Sequence, residues 1–222
     1  MLTVYTVMEY KLNVYNYGVK KISGLIQTTR FTRSFVVGLI MYIASGSIYY
    51  GIGTLLFLSF SFAFNDWADA LKDNIGHPNR AIPSGKLTRK QTLYISVGLL
   101  IMGVCWSALF LKEYTLVFTV IYLFSILYSF FLKPNVPILA TVVWSSAIAI
   151  LFLWPFTKNL AVYAAVIILV YAYELFLDYR DRKVDKEFCK TPTLANILGK
   201  YTPTVSGLLF LSAVGLLVHV LT

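Results

Sequence analysis

Asn65, Asp66, Asp69 and Asp73 stand just beyond Ser34 to Phe64, a run of 31 residues without a single charge. Ionisable side chains at the edge of hydrocarbon incur a desolvation cost unless something compensates them. A second acidic row, Glu174, Asp178, Asp181 and Asp185, follows another apolar run. At the helical turn per residue its four acids share a stripe roughly 60° wide, and Asp66, Asp69 and Asp73 share one of similar width. With Glu187, these two segments hold eight of the ten acidic residues in the chain. Both rows begin at the inner ends of apolar runs, so they can converge. Carboxylates that close repel one another unless cations lie between them. All-oxygen ligands without His or Cys at the same spacing point to a hard divalent ion, and Mg²⁺, which shares its coordination with substrate phosphates, fits best.

Cationic side chains that could hold a phosphate flank the acids. In NRAIPSGKLTRK, Asn79 to Lys90, Pro83 and Gly85 mark a turn that can bring Arg80 and Lys86 over the same opening. Lys133 carries the one charge of a long apolar neighbourhood, with Tyr128 five residues earlier. A diphosphate bridged by Mg²⁺ to the acids and held by Arg80 and Lys133 would satisfy every charge in such a pocket. His77 reads as a solvated loop histidine and His219 as an interface residue.

The elements that must position these residues are membrane spans. The 222 residues are 58% hydrophobic and 13% charged, with mean hydropathy +0.72, which no soluble domain of this size tolerates. Apolar runs bounded by charged or Pro/Gly/Asn clusters predict an all-α polytopic bundle around a central cavity. Seven spans are expected, near residues 24–44, 46–64, 92–111, 114–132, 137–156, 159–177 and 204–221. Residues 1–23 then form an N-terminal cytoplasmic segment and 24–222 a single transmembrane domain. The first span starts near Gly24, with Arg30 and Arg33 snorkelling to the interface. With the N-terminus inside, 17 of the 19 Lys and Arg fall on the inner side and only Lys112 and Lys158 outside, as the positive-inside rule expects. The net charge of +9 therefore reflects orientation in a lipid bilayer and not nucleic-acid binding. Cys105, in a span, and Cys189, in an inner loop, suggest neither a disulfide nor a metal site.

These motifs, in this order, resemble the UbiA-type intramembrane prenyltransferases from about Thr29 to Gly199. Asn65, Asp66, Asp69 and Asp73 match the family's NDxxDxxxD signature. Arg80 with Ile82, Pro83, Ser84 and Gly85 is similar to its RPIPSG element, with Ala81 in place of the second residue. Tyr128 and Lys133 stand where its YSxxLK stretch falls. Asp178, Asp181 and Asp185 match the second aspartate motif, preceded by Glu174, although Tyr173 replaces a frequent Arg. Thr193, Leu194 and Gly199 resemble its TLPxxLG.

The resemblance implies transfer of a prenyl chain from an isoprenyl diphosphate to a lipophilic, often aromatic, acceptor. It assigns Asn65, Asp66, Asp69, Asp73, Asp178, Asp181 and Asp185 to Mg²⁺, with two ions carried by the two aspartate motifs. Catalysis falls to Asp66, Asp69, Asp181 and Lys133, and contact with the diphosphate to Arg80, Tyr128, Lys133 and Glu174. Family members have about nine spans to this chain's seven. The cavity wall is therefore either abbreviated or completed by another subunit of a homo-oligomer. The same ionisation site could instead serve an intramembrane terpene cyclase. A cation channel would place acids along a path within spans, and here they cluster at one surface.

Overall fold

The computed structural model describes residues 2–153 and 159–221. The end of the expected fifth span and Lys158 lie outside them. Helix α1 (Leu2–Thr28) is followed by α2 (Phe31–Ser45), α3 (Ile48–Ala68) and the short α4 (Ala70–Gly76). After a turn-rich loop come α5 (Arg89–Phe110) and α6 (Thr115–Leu127), which runs through a π-helical turn, Tyr128–Leu132, into α7 (Lys133–Asn135). Then follow α8 (Pro137–Leu153), α9 (Leu160–Phe188), α10 (Leu194–Leu198) and α11 (Thr202–Leu221). Among the described residues, five stretches are long and apolar enough to cross a membrane: α3, α5, Lys112–Asn135, α9 and Leu194–Val220. Two apolar helices, Phe31–Ser45 and Pro137–Leu151, are shorter. Fifteen residues of α2 reach only about 22 Å, less than the roughly 30 Å of a hydrocarbon core. Five of the seven expected spans thus coincide with a helix of spanning length, and the other two coincide with these shorter apolar helices.

The boundaries follow local chemistry. Gly46 adopts a left-handed φ of 65° and ends α2, and the Ser47 hydroxyl accepts from the Tyr50 amide to start α3, so the long uncharged run divides where a glycine permits it. Thr88 and Gln91 form a reciprocal capping box at the start of α5.

The expected first span is interrupted. Arg30 takes φ 44° and ψ 46°, the one positive φ at a non-glycine among the described residues, and breaks the helix between Thr28 and Phe31. Hydroxyls absorb the broken ladder: Thr29 donates to the Leu25 carbonyl at 2.9 Å and Ser34 to the Thr29 carbonyl at 3.0 Å. Arg30 does not snorkel to the interface. Its guanidinium turns inward over the Phe62 ring, 4.5 Å from the centroid, toward Asp66.

Aromatic side chains fill the centre. Tyr50, Phe57, Phe60, Phe118 and Tyr122 are buried and meet largely edge to face, and the Tyr50 hydroxyl donates to the Leu151 carbonyl at 2.5 Å. Small residues let the helices approach, as membrane packing requires. A Cβ on Gly38 would lie 2.8 Å from the Gly51 carbonyl oxygen across the α2–α3 contact. A Cβ on Gly103 would lie 1.8 Å from the Tyr122 hydroxyl. Gly103→Ala is expected to destabilise the bundle by about 1–3 kcal/mol through overpacking, seen as a lower Tm of detergent-solubilised protein. An unchanged Tm would show that Tyr122 can move aside.

Candidate active site

The kink between α3 and α4 places Asn65 and Asp66 on the last turns of one helix and Asp69 and Asp73 at the start of the next. Asp66 and Asp73 are 3% and 2% exposed, so each charge must be answered locally. Asp73 receives Arg80 through both carboxylate oxygens, at 2.7 and 2.8 Å. The loop after α4 delivers Arg80. Gly85 adopts φ 67°, the Ser84 amide donates to the Arg80 carbonyl at 3.0 Å, and Ala81 is wholly buried beneath the turn. Burial opposes the Arg80 charge, but Asp73, Asp66 and Asp69 outweigh it and raise its pKa. Asp66 takes a hydrogen bond from the Thr28 hydroxyl at 3.2 Å and faces Arg30 and Arg80 at 3.7 and 3.8 Å.

Lys133 reaches the same row from the opposite side. The π turn ends at Leu132, and the ammonium donates to Asp69 at 2.5 Å and to Asn65 at 3.2 Å while lying 5.9 Å from the Tyr128 ring. Burial works to raise the Asp69 pKa, but Lys133 and Lys72 overcome it and hold the carboxyl below its ordinary value. Contacts to the end of α9 fix this corner: the Lys190 amide donates to the Pro134 carbonyl at 2.9 Å and the Thr191 hydroxyl to that of Asn135 at 2.9 Å.

The second acidic row rides on α9, which runs as one helix of 29 residues to Phe188. It meets the first row across two bridges. His77, at the end of α4, lies 3.2 Å from Asp181, which also takes the Arg180 guanidinium at 2.9 Å. Lys72 on α4 forms a tight ion pair with Asp185. A cavity of about 590 Å³ lies between the rows, lined by Asn65, Asp66, Asp69, Asp73, Asp178 and Asp181 together with Arg80, Tyr128, Lys133 and Glu174. Its deeper wall includes Phe62, Ser61, Ser125 and Trp144, and Trp144 stacks on Tyr128 at 5.2 Å. Below them the aromatic core closes the bundle.

The description "UbiA prenyltransferase family" matches residues 34–222. The chain belongs to this family. It is accordingly an integral membrane prenyltransferase, and its helical bundle is the UbiA fold. A comparison with curated proteins returns no match. Among solved structures, a digeranylgeranylglyceryl phosphate synthase aligns with TM-score 0.64 and 21% identity over 88% of this chain and 76% of its own. A UbiA homologue from Archaeoglobus fulgidus bound to GPP and Mg²⁺ aligns with TM-score 0.69 and 14% identity over 89% of this chain and 77% of its own. The same homologue bound to DMAPP and Mg²⁺ gives TM-score 0.67 at 14% identity.

Measured against the UbiA motifs, ten of the eleven expected site residues line one cavity, and Asp185 does not. Asp185 is 2% exposed and paired with Lys72, and it is not part of the cavity lining. Glu174 lines the cavity beside Trp144 and Tyr128 and forms no ion pair among the described residues. His77 is no free loop histidine, because the end of α4 carries it to Asp181. Arg30, expected at the interface, belongs to the site. Its signal in the sequence was weak: a basic residue near a span end, with no glycine, proline or asparagine to mark the sharp turn that redirects it.

The donor set suits Mg²⁺. Among the described residues no three His, Cys, Asp or Glu side chains already form a closed cage, because Lys133, Arg80 and Arg30 stand against the acids. Yet one buried oxygen of Asp66 has no hydrogen-bond partner, and Asp178 lines the cavity with neither a hydrogen bond nor an ion pair among the described residues. Oxygen donors of this kind satisfy a hard cation.

Proposed function

We propose that this cavity binds an isoprenyl diphosphate with its diphosphate between Arg80 and Lys133, and transfers the prenyl chain to a lipophilic acceptor, aromatic in the commonest case. What carries the reading is the meeting of two acidic rows and two fixed cations in one cavity above an aromatic wall. The structures of the Archaeoglobus homologue with prenyl diphosphates and Mg²⁺ support it. Asn65, Asp66, Asp69, Asp73, Asp178 and Asp181 would hold Mg²⁺, two ions if each row takes one, and Asp185 contributes by fixing Lys72. Bound Mg²⁺ supplies neutralisation of the charge that develops on the leaving diphosphate.

The chain's own groups do the rest. Arg80 and Lys133, now held by Asp73 and Asp69, turn their N–H donors to the diphosphate oxygens, and the Tyr128 hydroxyl lies on the same wall. The carbon–oxygen bond breaks with its electron pair leaving on the diphosphate oxygen. The faces of Tyr128, Trp144 and Phe62 line the space where the allylic positive charge then resides, and their bulk keeps water away. The acceptor's nucleophilic atom forms the new bond and loses a proton. The polar mouth faces the cytoplasm, because nearly all the basic residues sit on that side.

Binding of GPP to the purified chain, followed by calorimetry in detergent, should weaken at least about tenfold when EDTA removes Mg²⁺ and in Asp69→Ala and Asp181→Ala. Metal-independent binding of equal strength would sink the reading. Mass spectrometry of the products separates a prenylated acceptor from a cyclised hydrocarbon.

A further inference from the structure

Gln27, on the last turn of α1, ties down the loop that delivers Arg80. Its amide nitrogen donates to the Asn79 carbonyl at 2.6 Å and its amide oxygen accepts from the Lys86 ammonium at 2.9 Å, so one side chain holds both ends of segment 79–86. Lys86, expected over the same opening as Arg80, is thereby drawn to α1 and does not line the cavity. Two further contacts seat α1 against this segment. A Cβ on Gly24 would lie 2.9 Å from Leu87 Cγ and 3.0 Å from Lys86 Cβ, and the Lys21 ammonium donates to the Gln91 side chain at 2.8 Å. Lys21, Gly24 and Gln27 stand three residues apart, in one row along the helix. The loop is not closely packed on every side: Gly76, His77, Pro78, Asn79 and Arg80 border a second cavity of about 240 Å³, with Gln27 on its wall. Hydrogen bonds must fix the loop there.

We infer that Gln27 is a positioning residue, which presets Arg80 for the donor's diphosphate by clamping the two ends of its loop. The inference rests on the prenyl-transfer reading of this cavity and adds to it a residue outside the segment 34–222 that matches the family. Asp73 also holds Arg80, at 2.7 and 2.8 Å. When the guanidinium passes to phosphate oxygens that anchor is given up, and the loop then depends on Gln27. A loop without its clamp would have to be ordered at the moment of binding, which lowers affinity. Once bound, the diphosphate holds Arg80 itself, so the loss falls on binding and little on the step that follows. The same turn of α1 reaches the first acidic row: the Gln27 carbonyl accepts from the Arg30 amide at 3.1 Å, and the Thr28 hydroxyl donates to Asp66 at 3.2 Å. The end of α1 thus sets the arginine loop and that row in one frame.

Gln27→Met keeps the length of the side chain and removes both polar contacts. The test uses the full chain in detergent. In the ligand-free protein, hydrogen exchange of the loop amides, where Ser84 donates to Arg80, Gly85 to Ile82 and Leu87 to Ala81, should quicken about tenfold in the variant while the spanning helices keep their rates. With Mg²⁺ present, the Kd for GPP should rise about tenfold, and diphosphate release at saturating GPP should stay within about threefold of the parent rate. Lys86→Met cuts one of the two ties and should show the exchange and affinity effects at about threefold. Faster loop exchange with unchanged GPP affinity overturns the inference. Weaker affinity with unchanged exchange overturns it too, since Gln27 would then touch the diphosphate itself. Either result leaves the prenyl-transfer reading standing, whereas a parent chain without Mg²⁺-dependent GPP binding would remove both.

Discussion

Asp66→Asn should lower kcat/KM for prenyl transfer by about 10³-fold, near 4 kcal/mol, while the protein still folds. The substitution keeps size and shape, and an amide oxygen can still accept from the Thr28 hydroxyl at the 3.2 Å contact. What it removes is a formal charge at a position that is 3% exposed, where Arg30 and Arg80 both approach and one oxygen has no hydrogen bond. Charge in so dry a place is worth far more than at a surface. The cost to folding is smaller. Arg80 keeps Asp73, and Arg30 is partly exposed and retains the Phe62 ring beneath it, so solvent and the ring take up some of the lost attraction. Thermal unfolding monitored beside turnover separates the two effects. A variant with near-normal turnover would show that Asp66 balances Arg30 and nothing more.

The sequence made the two acidic rows legible because both lie on helices, where a fixed turn per residue converts spacing into a common face. Asp178 and Asp181 therefore arrive on the cavity side of α9 where periodicity placed them. One turn later the stripe leaves the cavity lining. Asp185 shares the stripe, yet Lys72 from α4 captures it, and no periodicity within α9 can announce a partner from more than a hundred residues away. The division of the uncharged run was also readable, since Gly46 and Ser47 have the chemistry of a helix end and a helix start. The break at Arg30 was not. Nothing local favours a left-handed arginine; tertiary attraction to Asp66 and Phe62 stabilises a backbone that costs on the order of 1 kcal/mol. His77 was hidden for the same reason. A loop histidine carries no sign of the helix that will pass beside it.

These misses share a physical pattern that bears on the site. Each concerns a basic side chain drawn to a carboxylate across the fold, and for Arg30 with Asp66 and Lys72 with Asp185 the carboxylate is buried, where such attractions are long-ranged in a low dielectric. Asp66, Asp69 and Asp73 each face a basic side chain of the cavity, whereas Asp178 and Glu174 form no ion pair among the described residues. On the proposed function, binding a diphosphate with its metal would exchange partners, with Lys133 and Arg80 passing from carboxylate to phosphate oxygens. A site arranged in this way is stable empty and strongly selective for a ligand that brings anion and cation together.

Lys133 gives the sharpest test of that exchange, because its two roles can be pulled apart. Lys133→Met keeps the apolar stem within the wall formed by Tyr128 but deletes the ammonium that donates to Asp69 and Asn65. Asp69 is then left largely enclosed, its side chain 13% exposed, with its nearest cation gone, a loss of roughly 3 kcal/mol that should appear as a lower Tm. GPP affinity should fall about a hundredfold, since a charge-assisted donor to the diphosphate has been removed as well. Adding Asp69→Asn to Lys133→Met removes the stranded charge. The double variant should regain most of the lost Tm, as contacting residues in one network are not additive, and should remain inactive because neither cation nor carboxylate is restored. Were Lys133 only an interface anchor, GPP affinity would survive in the single variant. Were Asp69 present only to neutralise Lys133, the double variant would recover turnover along with its fold.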